Sequence, residues 1–94
     1  MGDFFMDDEI HIRERVVVLA VFGGGLHPCK ISKFRRANGR EVVVKEIGLV
    51  YPALRGRKEL HVFDVTDGEA DYQLEFDAKT LTWYLTREAD HYEQ

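Results

Sequence analysis

The chain has 94 residues, of which 45% are hydrophobic and 32% charged, a composition that fits one globular domain and excludes wholesale disorder. Its net charge is −4, its longest apolar run covers residues 16–22, and it holds one cysteine. These features exclude a transmembrane helix, which needs about 20 apolar residues, and an internal disulfide. The start of the chain lacks the basic and apolar segments of a signal peptide, so we expect a cytoplasmic protein that does not enter the membrane.

The first 22 residues divide into an acidic tail and a strand. Residues 1–9 are predicted to be a frayed tail, with the alternative that Phe4 and Phe5 dock on the body or on a second subunit. Residues 10–22 predict a strand. Its second half is apolar on both faces, so we expect it to be covered on both sides or to lie in a closed barrel.

Asn38-Gly39 stands between two strand-like runs, residues 29–37 and 40–50. A two-residue Asn-Gly loop is typical of a hairpin with a type I′ turn. In the register that this turn sets, Phe34 and Val43 point to the core. The other face then carries Lys33, Arg35, Val42 and Val44.

The alternation of the hairpin fails away from its turn, because Ile31 would fall opposite Glu46. One extra residue in either strand would bring Ile31 and Ile47 to the core face. We therefore predict a bulge in residues 30–33 or 44–48.

The second half of the chain predicts a loop and three further strands. Pro52 and Gly56 indicate a loop over residues 51–58, and Asp67-Gly68 a turn. The strands are 59–66, 70–77 and 80–87, with Tyr72, Leu74, Phe76, Leu81, Trp83 and Leu85 facing inward and Gln73, Glu75 and Asp77 facing solvent.

The predicted fold is all-β, with about six antiparallel strands in a meander that forms a small barrel or a strongly twisted sheet. One domain covers residues 10–87, between the acidic tail and a polar tail over residues 88–94.

No group of residues predicts catalysis, a metal or a cofactor. His27 and Cys29 are two of the four ligands that a tetrahedral zinc site needs, and no second cysteine exists. Two residues that are two positions apart in the sequence, as His27 and Cys29 are, also rarely have the geometry of a nucleophile and its base. The carboxylates between Asp64 and Asp77 are predicted at turns and on solvent-facing positions. Such positions do not form the cleft that acid–base catalysis needs.

Most positive charge lies in residues 30–58, where nine Lys and Arg against two Glu give +7, whereas four basic and fifteen acidic residues elsewhere give −11. The candidate binding residues are Lys33, Arg35, Arg40, Arg55 and Arg57. A basic hairpin over residues 30–45 could bind nucleic acid, but the acidic chain as a whole favours a protein partner or self-association. We therefore expect a non-enzymatic interaction or self-associating module, with nucleic-acid binding as the alternative.

The pattern is similar to short uncharacterised bacterial β-domains of the kind described as domains of unknown function. The resemblance covers about residues 16–86 and departs at Arg36, where such domains often have Trp. It is carried by Val21-Phe22, Pro28, Phe34, Gly39-Arg40, Val43, Ile47, His61-Val62-Phe63, Tyr72-x-Leu74-x-Phe76-Asp77 and Trp83-x-Leu85. It implies an all-β fold and a bacterial source, and no activity or ligand.

Overall fold

The computed structural model describes residues 10–23 and 28–90, and every regular element in them is a β-strand. The strands are β1 (Ile10–Phe22), β2 (Cys29–Arg35), β3 (Glu41–Val43), β4 (Glu46–Arg55), β5 (Lys58–Thr66), β6 (Ala70–Asp77) and β7 (Thr82–Asp90). These residues contain no helix, and so none that is long and apolar enough to span a membrane. The predictions for the N-terminal tail, including Phe4 and Phe5, and for His27 lie outside the described residues.

The seven strands form one antiparallel sheet in the order β3-β2-β1-β7-β6-β5-β4, curled into a half-barrel. The all-β prediction is therefore confirmed, with one strand more than expected. The first and last strands pair, with Val16 opposite Trp83, whereas the consecutive strands β3 and β4 do not pair. The chain is thus a meander in which the strands β1 and β7 pair with each other. The sheet stays open between β3 and β4.

The two halves of strand β1 pair with different neighbouring strands. Residues 10–16 pair with β7, and residues 17–22 pair with β2. On the outer face of the second half, Val17, Leu19 and Val21 are 60%, 54% and 62% exposed. The expectation that this apolar run is covered on both sides is wrong, because the sheet curls toward one face only and no described residue covers the other.

The hairpin between β2 and β3 has a register one residue away from the predicted one. Arg36 N–H donates to Arg40 C=O at 2.8 Å, so the loop contains three residues. Gly39 has a φ of 89°, but Asn38 has no positive φ, which excludes the type I′ turn. The Asn38 side-chain oxygen instead accepts a hydrogen bond from Arg40 N–H at 2.9 Å. Phe34 therefore lies opposite Val42.

This register decides which valines enter the core. Phe34 is buried as predicted, and its ring meets Tyr72 edge-on at a centroid distance of 5.2 Å. The prediction that Val43 points inward is wrong, since Val43 is 60% exposed. Val42 and Val44, predicted on the outer face, are respectively buried and packed against the core.

Two bulges restore the alternation where the sequence pattern failed. In the β1–β2 pair the register skips Ser32, and Ile31 becomes a buried core residue as predicted. In the β4–β5 pair the register shifts between Ile47 and Val50, and Ile47 packs against the core. The first irregularity lies in the predicted stretch 30–33, and the second, at residues 48 and 49, extends one residue past the predicted stretch 44–48. Both occur in pairings with β1 and β5 rather than within the hairpin, where the bulge is predicted.

The predicted loop over residues 51–58 is wrong, because β4 continues to Arg55 and only Gly56 and Arg57 form the turn. Gly56 has a φ of 65°, the positive φ that a type II′ turn requires at its first central position. Pro52 is tolerated because β4 is an edge strand that pairs only with β5.

The inward positions of the last two strands follow the prediction with one exception, whereas the prediction that Gln73 faces solvent is wrong, since Gln73 is 4% exposed and donates to Tyr51 and Asp64 at 3.3 Å. Tyr72, Leu74, Trp83 and Leu85 are buried, and Phe76 packs partly buried against them. Leu81, predicted inward, is 74% exposed and has a φ of 59°, because it belongs to the turn that follows Asp77. Strand β7 extends to Asp90, into the stretch predicted as a tail.

Candidate functional site

Two of the five candidate binding residues, Lys33 and Arg35, share the outer face of β2. They stand opposite Leu19 and Val17 of β1, and Lys30 stands opposite Val21 farther along. Lys33 forms an ion pair with Glu41 at 3.2 Å, whereas Lys30 and Arg35 have no ion-pair partner within residues 10–23 and 28–90. The outer face of β1 and β2 therefore combines three exposed aliphatic residues with a row of three cations.

The other three candidates do not join this row. Arg40 closes the hairpin loop opposite Arg36, whereas Arg55 is the last residue of β4 and Arg57 lies in the turn between β4 and β5. Arg36, at the base of the hairpin loop, donates a hydrogen bond to Glu88, which lies opposite the start of β6. Arg55 donates a hydrogen bond to Glu75, near the end of β6. The basic block is thus divided between two ends of the sheet.

The carboxylates of β6 are on the outer face as predicted, but they are not solvated. Glu75 and Asp77 are 4% and 5% exposed, because longer side chains lie over them. Glu75 accepts a hydrogen bond from Arg55 at 2.8 Å, and Lys58 lies 3.7 Å from Asp77. Asp77 also accepts the Lys79 N–H of the next turn at 2.9 Å. These contacts assign both acids a structural role.

The feature that sequence reasoning missed is the open seam between β3 and β4. Val44 N–H donates to Ser32 C=O of β2 at 2.9 Å, and the next residue, Lys45, donates its N–H to Thr66 C=O of β5 at 2.8 Å. The chain changes partner between these two residues. Beyond this crossing, β2 and β4 do not pair, and in the described residues neither has a strand on the edge that faces the seam.

A cavity of about 730 Å³ fills the seam, and we call it the slot. Its lining comes from the end of β1, the start of β2, the crossing, and strands β4, β5 and β6. The lining residues are Phe22, Pro28, Cys29, Lys30, Ile31, Val44, Lys45, Glu46, Ile47, Gly48, Val50, His61, Phe63 and Phe76. The slot is thus mainly apolar, and both open strand edges contribute to its walls.

The backbone of each wall presents hydrogen-bonding groups to the slot. Pro28 C=O points toward β1, where it accepts Gly23 N–H at 2.9 Å. Because successive residues of a strand direct their backbone groups to opposite edges, Cys29 presents its groups away from β1. On β4, Pro52 occupies a position whose nitrogen points away from β5, so Val50, two residues earlier, also presents its backbone outward.

The described residues that line the slot include one thiol and one imidazole, and neither indicates nucleophilic chemistry. Cys29 is half-buried, and this burial raises the pKa of its thiol, which keeps the sulfur protonated. His61 is exposed, with its ring 6.4 Å from the ring of Phe76. Neither residue belongs to a group of three or more His, Cys, Asp or Glu that could hold a metal ion, since residues 10–23 and 28–90 contain no such group.

The sequence did carry one signal of the slot. Residues 46–55 hold Leu49, Val50, Tyr51 and Leu54, an apolar content typical of a strand, although Pro52 indicated a loop. A strand that holds proline belongs at a sheet edge, and an apolar edge strand is available for pairing. No protein-family model matches the chain, and comparisons with curated proteins and with solved structures find no match either.

Proposed function

We propose that this chain is a non-enzymatic protein-interaction module that binds an extended apolar segment of a protein partner in the slot. The observation that supports the proposal most directly is the apolar cavity between two open strand edges. In strand addition, backbone hydrogen bonds supply affinity, and pockets for alternate side chains supply specificity. The slot offers both kinds of contact at one place.

The size of the slot suits side chains of a bound strand. Its volume of about 730 Å³ falls within the range of roughly 300–1,000 Å³ that is typical of small-ligand pockets. Alternate residues of an extended peptide lie roughly 6.7 Å apart on the same face. Two or more neighbouring apolar side chains of one strand can therefore enter the slot together and contact Ile31, Ile47 and Phe63.

Pro52 limits the stretch of β4 that a partner can pair with. Proline has no N–H, so the outward edge of β4 lacks a donor at this position. Edge prolines of this kind oppose unrestricted pairing between sheets. The partner strand is therefore expected to pair with residues 46–50, beside the slot, rather than with the whole length of β4.

Cys29 provides a direct test, because it is the only cysteine of the chain and lines the slot. The rate at which a thiol reagent modifies Cys29 is measured with and without a short peptide that alternates leucine with threonine. A bound peptide should slow the modification by about tenfold when its concentration is about ten times Kd. An unchanged rate at every peptide concentration would contradict the proposal.

Two variants of β4 make a matched pair for this test. Val50 and Leu54 are both exposed apolar residues of β4, but only Val50 lines the slot. Val50→Lys should abolish the protection of Cys29 by the peptide, because it places a charge in an apolar wall. Leu54→Lys should leave the protection intact. Equal effects of the two substitutions would place the peptide elsewhere on the edge of β4.

A second candidate function is nucleic-acid binding by the outer face of β1 and β2. It is supported by the row of Lys30, Lys33 and Arg35, of which two have no ion-pair partner among the residues described. If three phosphates are neutralised, the affinity should fall with salt at a slope of about −2.7 on logarithmic axes. Absence of binding to DNA and RNA at about 50 mM salt, where such contacts are strong, would reject this candidate.

A further inference from the structure

We infer that the segment that fits the slot is the acidic N-terminal segment, residues 3–9, of a second copy of this chain. The inference rests on the proposed function, since it names the partner of the same site. It makes the chain a self-associating module in which each copy offers both a slot and a segment to fill it.

The composition of the segment matches the two kinds of contact in the slot. Phe4, Phe5 and Met6 are consecutive, and acids stand on both sides of them, namely Asp3, Asp7, Asp8 and Glu9. In an extended strand, Phe4 and Met6 project to one face and Phe5 to the other. The slot, with its aromatic and aliphatic walls, can receive the pair Phe4 and Met6 while the acids stay at its two ends.

Charge complementarity favours this segment over an uncharged apolar peptide. Lys30 lies on one edge of the slot and Lys45 at the crossing, and neither has an ion-pair partner in the part of the chain that the structure describes. Among the described residues, Glu46 is the one acid that lines the slot. The segment carries four acids and no base, so its ends meet a net positive border. Opposite charges at a rim of this kind steer association and fix the register of the bound strand.

The position of β1 favours a second copy over the same chain. The segment precedes Ile10, whose row across the sheet runs through Glu88, Tyr72 and Val65 to Ile47 at the slot. Four strand spacings along this curved row amount to roughly 19 Å, whereas the four residues from Ile10 back to Met6, which must enter the slot together with Phe4, span at most about 14 Å. The shorter, straight path across the inside of the half-barrel is occupied by core side chains, among them the buried Phe34 and Tyr72. The tail of the same chain therefore cannot bring Met6 to the slot together with Phe4.

Exchange of two such segments gives a closed dimer. Each copy binds the segment of the other, so the contact is isologous and no copy keeps an open slot. The exchange also adds a strand beside residues 46–50, which reduces the open edge that β4 presents in the single chain.

The test uses full-length variants and light scattering coupled to size exclusion. The wild-type mass should rise with concentration from 10.9 kDa to twice that value. Phe4→Ser combined with Met6→Ser should hold the mass at that of the single chain and should speed the modification of Cys29 by a thiol reagent. Phe5→Ser is the matched control and should behave like the wild type, because an extended segment with Phe4 and Met6 in the slot would project Phe5 to the opposite face. A double variant with the wild-type dependence of mass on concentration would overturn the inference.

A peptide experiment separates this inference from the proposed function. A synthetic peptide of residues 2–9 is added to the full-length Phe4→Ser, Met6→Ser variant, whose slot is free. Slower modification of Cys29 is the expected result. If this peptide gives no protection while the peptide of alternating leucine and threonine does, the inference is overturned and the proposed function stands. If neither peptide protects Cys29, the proposed function fails as well.

Discussion

Phe34 of β2 lies directly opposite Val42 of β3, and the side chains of both residues are buried, with 1% and 2% of their surface exposed. The next residue, Val43, is opposite Lys33 on the outer face. A shift of one residue would exchange the two faces of the strand. The three-residue hairpin loop thus determines which valine enters the core and where the chain reaches the seam.

The first prediction tests this register with two substitutions. Val42→Asp should destabilise the protein severely, by several kcal/mol, because it buries a charge without a partner. Val43→Asp should change the free energy of unfolding by no more than about 0.5 kcal/mol, since Val43 is exposed beside Lys33. Urea unfolding monitored by Trp83 fluorescence measures both. The reverse order of the two effects would show that the loop has two residues.

The second prediction concerns Gly39, whose φ is 89°. Gly39→Ala should destabilise the protein by about 1–2 kcal/mol, because an L-residue is strained in this region of φ. The cause is conformational, since a Cβ at Gly39 would meet no atom within 4 Å. Gly23→Ala is the control, as a Cβ there is equally free of contacts and its φ is not in the positive range. Equal unfolding midpoints of the two variants would contradict this explanation.

The third prediction compares two residues predicted to share the core face of the last strand. Trp83→Ala should cost about 3–5 kcal/mol, because the buried ring packs on Phe63 and Phe76 at centroid distances of 5.3 and 4.6 Å. Leu81→Asn should be neutral or stabilising by up to about 1 kcal/mol, since Asn tolerates the positive φ that strains Leu81. Circular dichroism during urea unfolding measures both. A loss above about 1 kcal/mol for Leu81→Asn would assign that side chain a packing role.

The fourth prediction concerns the acid that anchors the hairpin. Arg36 donates two hydrogen bonds to Glu14, and Ala37 N–H donates a third, and these lower the pKa of Glu14 below its usual 4.5. A lowered pKa stabilises the fold above the unfolded-state value, and this contribution is lost as the pH falls through the folded-state value. Glu14→Gln should therefore cost about 1 kcal/mol at neutral pH and progressively less in acid.

A variant of Asp64, whose pKa is shifted in the opposite direction from that of Glu14, provides the control for this pH dependence. Burial raises the pKa of Asp64, so its ionisation disfavours the fold as the pH rises through the folded-state value. Asp64→Asn keeps an oxygen for Gln73, which donates to Asp64 at 3.3 Å, and should be neutral or stabilising at neutral pH. The unfolding midpoints in urea across acid and neutral pH measure both variants. Parallel curves for the two variants would contradict both assignments.

The sequence predicted the elements whose contacts are local. Strands β5 to β7 alternate between a core face and an outer face, so the inward positions of Tyr72, Leu74 and Leu85 followed from a period of two. The bulge near Ser32 followed from a break in that period. Asn38-Gly39 marked the hairpin, but the same dipeptide fits both a two-residue loop and a three-residue loop with glycine at its positive-φ position, so the register stayed undetermined.

The seam and the slot could not be predicted, because they depend on pairings between distant residues. The slot exists because Val16 of β1 pairs with Trp83 of β7, which leaves β3 and β4 as the two ends of the sheet. No local pattern distinguishes this arrangement from a closed meander. The solvent exposure of Val17 and Leu19 has the same origin, since only the curl of the whole sheet decides which face of an apolar strand is covered.

The proposed function requires an extended segment to bind between β2 and β4. The most direct measurement is an NMR titration of the chain with the peptide that alternates leucine with threonine, recorded on the backbone amides. We predict the largest shifts at residues 29–31 and 46–50, the two edges that border the slot. Shifts confined to the outer face around Leu19, Lys33 and Arg35, or no shifts at all, would contradict it.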